Sequence, residues 1–258
     1  MKVLVFVAHP DDETVFTGGT LILLARAGLQ VHYLVATRGE GGEMGEPQLC
    51  KRDELGPLRE TEMRCAVQAL GGASLSFLDY IDPLVGKGDQ LFPYTDDQDA
   101  LTQQLMDHIQ RIQPAALISH GSTGEYGHPA HLISHAAAHK AIAVLADAAP
   151  LFYTFSAAFN GHPRPRLLNK PDRAHIVLDI ASAHDQKSQA ALCHRSQNAL
   201  FVRRSSKRAG RPLKVPEVLA TVESLHRAYP PVENGSVDDF IARALKPWTK
   251  KNAEFEPK

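Results

Sequence analysis

The sequence predicts an α/β fold: a doubly wound, mostly parallel sheet with helices on both faces and a C-terminal extension. Three observations carry this. Short, continuous runs of apolar and β-branched residues recur along the chain, as strands buried on both faces require. Stretches of helical periodicity separate them, so strand and helix alternate. At 258 residues, with 43% hydrophobic and 22% charged residues, the chain can bury a large core.

Val3 to Ala8 reads as the first buried strand. Gly18-Gly19-Thr20 then opens a helical stretch, Leu21 to Ala27, which Gly28 ends. Val31 to Ala36 is the second strand, followed by a Gly- and Glu-rich loop from Arg38 to about Pro47. Leu55 to Leu70 reads as a helix stopped by Gly71-Gly72, and Leu75 to Leu78 as a short third strand. A long loop from Asp79 to Asp97 carries Pro83, Gly86, Gly88 and Pro93. Ala100 to Ile112 is a helix and Ala115 to Ser119 the fourth strand. After a polar break, Gly121 to Gly127, a helix runs from His128 to Leu145 with Pro129 in its first turn, where a missing N–H costs nothing. Leu151 to Ser156 and Ile176 to Ile180 are the fifth and sixth strands. Right-handed crossovers between parallel strands make this sheet Rossmann-like. The main domain is expected over residues 1–200. Residues 201–258 are expected as an extension packing on it, with a loose tail from Lys250 to Lys258.

The composition narrows the function classes. A formal net charge of -1 offers no global field for nucleic acid or anionic membrane. No apolar run approaches the ~20 residues that span a bilayer, so stable membrane insertion is not expected. The N-terminal apolar run leads straight into His9-Pro10-Asp11-Asp12-Glu13 without the cleavage site of a signal peptide. Cys50, Cys65 and Cys193 are odd in number and scattered, which suggests no disulfide framework and fits a reducing cytoplasm. Oligomeric state is not legible, and a homo-oligomer stays open.

The chemistry gathers in two loops. In an open parallel sheet, ligands bind beyond the carboxyl ends of the strands, where strand order reverses. In the usual order 3-2-1-4-5, the loops after strands 1 and 4 meet there. Here they carry His9-Pro10-Asp11-Asp12-Glu13 and Gly124-Glu125-Tyr126-Gly127-His128-Pro129-Ala130-His131. A helix N-cap would explain one aspartate. It leaves a second ionised carboxylate beside a histidine in a crevice, which costs free energy without a cation. On the following helix His128, His131, His135 and His139 share roughly one face. At a rise of ~1.5 Å per residue, His135 and His139 sit ~6 and ~12 Å further from the mouth than His131, so they are expected to be packed or surface histidines. Two histidines and a carboxylate with an open position form a catalytic zinc pattern, and the same set suits ferrous iron.

These residues resemble the PIG-L/LmbE-like family of zinc-dependent N-acetylglucosaminyl de-N-acetylases. The resemblance rests on Ala8-His9-Pro10-Asp11-Asp12-Glu13 after a strand, then Gly18-Gly19-Thr20, Thr37-Arg38-Gly39-Glu40, Arg59-x-x-Glu62 and Phe77-Leu78-Asp79-Tyr80-Ile81-Asp82. It continues through Glu125-Tyr126-Gly127-His128-Pro129-x-His131, Lys187 and His194-Arg195-Ser196-Gln197. It implies His9, Asp12 and His131 as metal ligands and Asp11 as the base that activates water. It implies His128 as an acid or oxyanion donor, and Tyr126 as a group that polarises the carbonyl. Arg59 and Asp82 match positions that hold the sugar. The substrate implied is a small N-acetylated amino-sugar compound. The family often has Asp between the two histidines, where this chain has Ala130. His128 is therefore expected to lack a local carboxylate partner, with Glu125 as a substitute candidate.

The weaker signals have plainer readings. Gly39-x-Gly41-Gly42-x-x-Gly45 follows the second strand and carries Glu40, Glu43 and Glu46, whose charges would repel a pyrophosphate, so it reads as a substrate-facing or solvated loop. Arg59 and Glu62, at i,i+3, would otherwise be a surface pair. The basic run from Arg203 to Lys214 reads as a solvated loop, with an anionic substrate tail as the alternative. The rival functions are a sugar-binding module without catalysis, which Ala130 favours and Asp11 opposes, and an amidase on a larger sugar-linked amide. A nicotinamide dehydrogenase lacks its glycine fingerprint after the first strand.

Overall fold

The computed structural model describes residues 1–232 and 235–250. The expected tail therefore lies, apart from Lys250, outside the described residues. The parallel strands are β1 (Lys2–Val7), β2 (Gln30–Thr37), β3 (Ser74–Tyr80), β4 (Ala116–Ser119) and β5 (Leu151–Phe155). Between them run α1 (Asp12–Arg26), α2 (Leu55–Ala69), α3 (Gln98–Ile112), the single turn α4 (Gly124–Gly127) and α5 (Pro129–Leu145). Two short strands follow, β6 (Ala157–Ala158) and β7 (Asn169–Arg173), and then β8 (Ile176–Asp179). The C-terminal part holds α6 (His184–Cys193), α7 (Asn198–Ala209), α8 (Val215–Val218), β9 (Val222–Tyr229) and α9 (Phe240–Leu245).

The main sheet has the order β3-β2-β1-β4-β5-β9-β8. β1 pairs in parallel with β2 on one side and β4 on the other, so strand order reverses between β1 and β4. Alternation along β1 splits the core into two layers. Val3, Val5 and Val7 face Leu21–Leu24 of α1 and Met63 of α2. Leu4 and Phe6 face Leu101 and Leu105 of α3 and Ala137 and Ala141 of α5. Burial on both faces explains why these strands are continuous apolar runs.

Three features depart from the sequence expectation. Residues 201–258 were expected to pack on the domain, yet they supply β9, which lies antiparallel between β5 and β8 inside the sheet. The Glu223 side chain of β9 accepts hydrogen bonds from the backbone of Gly19 (2.9 Å) and Thr20 (2.6 Å) in α1. It also pairs with buried Lys187 of α6 at 2.6 Å. The basic stretch expected as a loop is largely the helix α7, which turns Phe201, Val202, Ser205 and Ser206 inward and ends at Gly210 in a left-handed conformation. Cys65 and Cys193, expected to be unpaired, form a disulfide between α2 and α6 across 128 residues of sequence. Their proximity is created by packing of those helices, which no sequence spacing reveals. The pairing removes the cysteine argument for a reducing compartment. Among the described residues no helix is long and apolar enough to cross a membrane.

Candidate metal centre and active site

The loop after β1 is held by the sheet and bent sharply. The Ala8 amide donates to His120 Nε2 (3.0 Å), and the His9 amide donates to Asp12 Oδ2 (2.9 Å). Asp11 has φ of 117°, a conformation rare for a residue with a side chain, and its amide donates to Glu13 Oε2 at 3.0 Å. The bend sends the adjacent carboxylates apart. Asp12 faces the histidines: its Oδ1 is 3.2 Å from His131 Nε2 and its Oδ2 is 3.3 Å from His9 Nδ1. Asp11 faces Arg59 Nη2, 3.1 Å away.

Pro129 starts α5 directly after His128, which puts His128 and His131 at the carboxyl edge of the sheet. Their rings stack with centroids 4.6 Å apart, and His9 lies 4.9 Å from His128 and 5.5 Å from His131. One nitrogen from each of His9, His128 and His131 falls within 4.8 Å of the others. His131 Nε2 is fully buried, faces Asp12 and makes no hydrogen bond. A buried imidazole nitrogen that faces a buried carboxylate at 3.2 Å without a well-aligned hydrogen bond is what a divalent cation would satisfy, so the residues fit one. Without a cation, Asp12 and Glu125 hold the His131 pKa at about 9 against the effect of burial. Cation binding must then displace that proton.

His131 is oriented from behind. Its Nδ1 lies 2.7 Å from Glu125 Oε2, which also meets His120 Nδ1 at 2.9 Å. Glu125 Oε1 accepts from the Gly121 amide (3.0 Å) and Asn169 Nδ2 (3.1 Å). Glu125 is itself at φ of 60° and fully buried. Despite that burial, His120 and His131 hold its carboxyl well below the usual range. His120 comes within reach of Asp12 and His131, yet both of its nitrogens are already engaged, one by the Ala8 amide and one by Glu125. With Asp12 and His131 it forms a second group whose ligand atoms lie within 4.8 Å of one another. His135 points away, with Nδ1 2.9 Å from the His120 carbonyl.

The chain matches the GlcNAc-PI de-N-acetylase (PIG-L) family over residues 4–142, more than half its length and all of this centre. It belongs to that family. A 1D-myo-inositol 2-acetamido-2-deoxy-alpha-D-glucopyranoside deacetylase from Catenulispora acidiphila is 32% identical over 161 residues, covering 57% of this chain and 50% of the relative. One with the same description from Rhodococcus jostii is 30% identical over 237 residues, covering 76% and 81%. The chain spans about half the length of the first curated relatives it matches. Among solved structures, the 4-carboxy-2-hydroxymuconate hydratase GalB of Pseudomonas putida superposes with a TM-score of 0.61 at 24% identity, covering 90% of this chain and 98% of that one. That likeness concerns the fold.

In this PIG-L family member the remaining candidates line a cavity of about 590 Å³. Asp82 Oδ1 is 3.2 Å from His9 Nε2. Arg59, buried, donates to the carbonyls of Gly39 (2.9 Å) and Pro10 as well as to Asp11. A Cβ at Gly39 or Gly42 would lie 2.3 Å from Arg59 Nη1, so the glycine-rich loop exists in part to admit this guanidinium. Burial pushes the Asp11 carboxyl up to about 6 while Arg59 pulls against it. Burial, with His9 and His131 nearby, lowers His128 to about 3, so its ring is neutral near pH 7. His128 Nδ1 accepts from the Ala130 amide (3.2 Å), and Ala130 is buried in the apolar layer under α5. The expected lack of a carboxylate partner from that position is therefore what the geometry gives. Glu125, the candidate substitute, serves His131 and His120 instead. Tyr126, half exposed, stands edge-on to His131 and His128 with centroids 5.5 and 5.6 Å away.

Sequence reasoning did not find His120, the role of Glu125 toward His131, or the buried pair of Glu13 with His194 Nε2 (3.1 Å). His120 ends a strand with no histidine-containing motif around it. Glu125 lies within a quoted motif, but its aim depends on the left-handed kink at residue 125.

Proposed function

We propose that this chain is a metal-dependent hydrolase that removes an N-acyl group, acetyl in the simplest case, from an amino-sugar conjugate. The observation that carries the reading is the separation of two adjacent carboxylates. One lies among the histidines, and the other faces the cavity with a raised pKa. His9, Asp12 and His131 would hold the cation, with Glu125 and His120 fixing the His131 ring. A divalent cation there, zinc or ferrous iron, supplies Lewis acidity toward water and the amide carbonyl. Asp11 takes the proton of the attacking water, a task suited to a carboxyl raised by burial. Tyr126, whose phenol is kept protonated by partial desolvation and by the nearby Asp12, Asp11 and Glu125 carboxylates, donates to the developing oxyanion. His128, neutral, is the second donor at that oxygen, and the amine leaves with the proton that Asp11 took from the water. Asp82 orients His9 and borders the sugar, and Arg59 sets the position and charge of Asp11. The names of the two relatives support an N-acetylglucosaminyl substrate.

The test is a mass-spectrometric screen of N-acetylated amino-sugar conjugates with metal-replete protein. Loss of acetyl with equimolar acetate and free amine is expected. No acetate from any of them, with metal bound, would leave a sugar-binding module as the better account. Water added to an unsaturated acid with no amide cleaved would move the reading to hydration.

A further inference from the structure

A second cavity, about 650 Å³, opens on the far side of the reacting centre. It shares Asp11, Asp12, Tyr126 and Leu200 with the first, so the two meet at the scissile position. Its walls are apolar, from Phe16 of α1, Phe201 of α7 and Leu219 beside α8. Three arginines, Arg164, Arg166 and Arg204, also line it. The charge is unbalanced. The Arg164 guanidinium donates to the Val218 carbonyl, and the carboxylate that acts on it, Glu223, is already taken by Lys187. Among the described residues, no carboxylate pairs with Arg166 or Arg204. Of the other arginines on α7 and its flank, Arg203 holds Glu43 at 2.8 Å and Arg211 holds Glu217 at 2.9 Å, whereas Arg208 adds to the unpaired charge. Arg166 and Arg204 are exposed at the mouth of the cavity, and partial desolvation with the nearby Arg204 and Arg208 lowers the Arg166 pKa, as like charges gathered together would. With a formal net charge of -1, the chain has no general excess of cations to account for this cluster.

The geometry points to an anion-binding subsite at Arg164, Arg166 and Arg204, which takes a carboxylate or phosphate on the part of the substrate extending past the reacting amide. The cleft joins two kinds of charge, the Asp11 and Asp12 carboxylates where it meets the first cavity and the guanidinium groups of its own lining, with apolar side chains in the same wall. A ligand with an anionic end is repelled by the first and paired by the second, which fixes its direction. A volume of this size is that of a small-molecule pocket and exceeds what an acetyl methyl fills. The anion can be carried by the aglycone or by the acyl chain, since both lie beside the amide.

The inference rests on the hydrolase reading for its substrate and is tested so that the two can fail separately. The first measurement is calorimetric binding of phenyl phosphate, which has an apolar body and an anionic end, to metal-replete protein. Binding is expected in the wild type and in Arg211→Gln. Its affinity should fall about tenfold or more in Arg166→Gln/Arg204→Gln, the scale of a charge-assisted contact. The second is kcat/KM for N-acetylglucosamine 1-phosphate and N-succinylglucosamine, each against its uncharged methyl glycoside or methyl ester. A preference for the charged member of either pair is expected, arising mainly in KM, weakening with salt and collapsing in the double variant. Which pair shows it says whether aglycone or acyl chain carries the anion. Phenyl phosphate bound through the arginines, with no amide cleaved, keeps the subsite and removes the hydrolase reading. Amides cleaved with no charge preference in either pair, and phenyl phosphate bound equally by the double variant, overturn the subsite.

Discussion

Replacing Arg59 by Gln tests the division of labour between the adjacent aspartates. Arg59 Nη2 lies 3.1 Å from Asp11 Oδ2, and both side chains are largely buried. At an effective dielectric near 20, two unit charges at that distance attract by roughly 5 kcal/mol, an upper bound equal to nearly 4 pH units. Water entering the space left by the guanidinium reduces this, and carboxylates paired with arginine in proteins shift by about 1–3 units. Removing a cation disfavours the carboxylate, so the Asp11 pKa rises from its value of about 6. The acid limb of kcat/KM should therefore move up by about one to three pH units, since that limb reports the free enzyme's base. At pH 7 the rate falls, and at pH 9 much of it returns. The assay is acetate release from an N-acetylglucosamine conjugate across pH 5–10 on metal-saturated protein, with elemental analysis showing unchanged metal content. Arg59→Lys, which keeps the charge, should shift the limb less. A limb that stays put while KM rises would refute the electrostatic argument and place Arg59 on the sugar.

Asp12→Asn should lose metal, whereas Asp11→Asn should keep it and lose turnover by ~10²–10⁴-fold. The reverse pattern in elemental analysis would exchange the two roles. Glu125→Gln removes the charge behind His131 and should weaken metal affinity about 10–100-fold, measured by competition with a chelator, while His135→Ala leaves it near wild type. Ala130→Asp adds a carboxylate two residues from the neutral His128, which raises its pKa from about 3; because the neutral ring is the donor, the alkaline limb of the rate profile should stay in place, and a limb that moves upward would make His128 the acid that protonates the amine. Because position 130 is buried in an apolar layer, the same variant should also melt lower. Cys193→Ser opens the link between α2 and α6 and should cost about 2–4 kcal/mol, seen as a drop in Tm of roughly 5–10 °C.

β1, β2, β4 and β5 were legible because burial on both faces writes them as largely apolar runs, such as Val3 to Ala8, while β3, a partly buried edge strand, showed only Leu75 to Leu78. The meeting of His9 and Asp12 with His131 followed from the same logic, since strand order alone brings those loops together. β9 was hidden because only part of it is buried, and its pairing partners precede it by 43 residues or more in the ladder. His120 and Glu125 were hidden for a different reason. Their roles are set by one left-handed residue and a shared carboxylate oxygen, geometry that a one-dimensional pattern does not carry. Arg59, expected to hold the sugar, lines the cavity with its Nη atoms on Asp11 and two backbone carbonyls, contacts that the sequence did not reveal.

The placement of β9 also sets an order of events during synthesis. Every residue of the candidate metal cluster has been synthesised by position 131, and β5 is complete at Phe155. The strand that covers β5 ends at Tyr229, so at ~5–20 residues per second the outer edge of β5 stays bare for roughly 4–15 seconds. An unpaired strand edge next to a buried core is a template for a neighbouring chain. The nascent protein thus assembles its ligands first and is most exposed to misassociation before Val222–Tyr229 arrives.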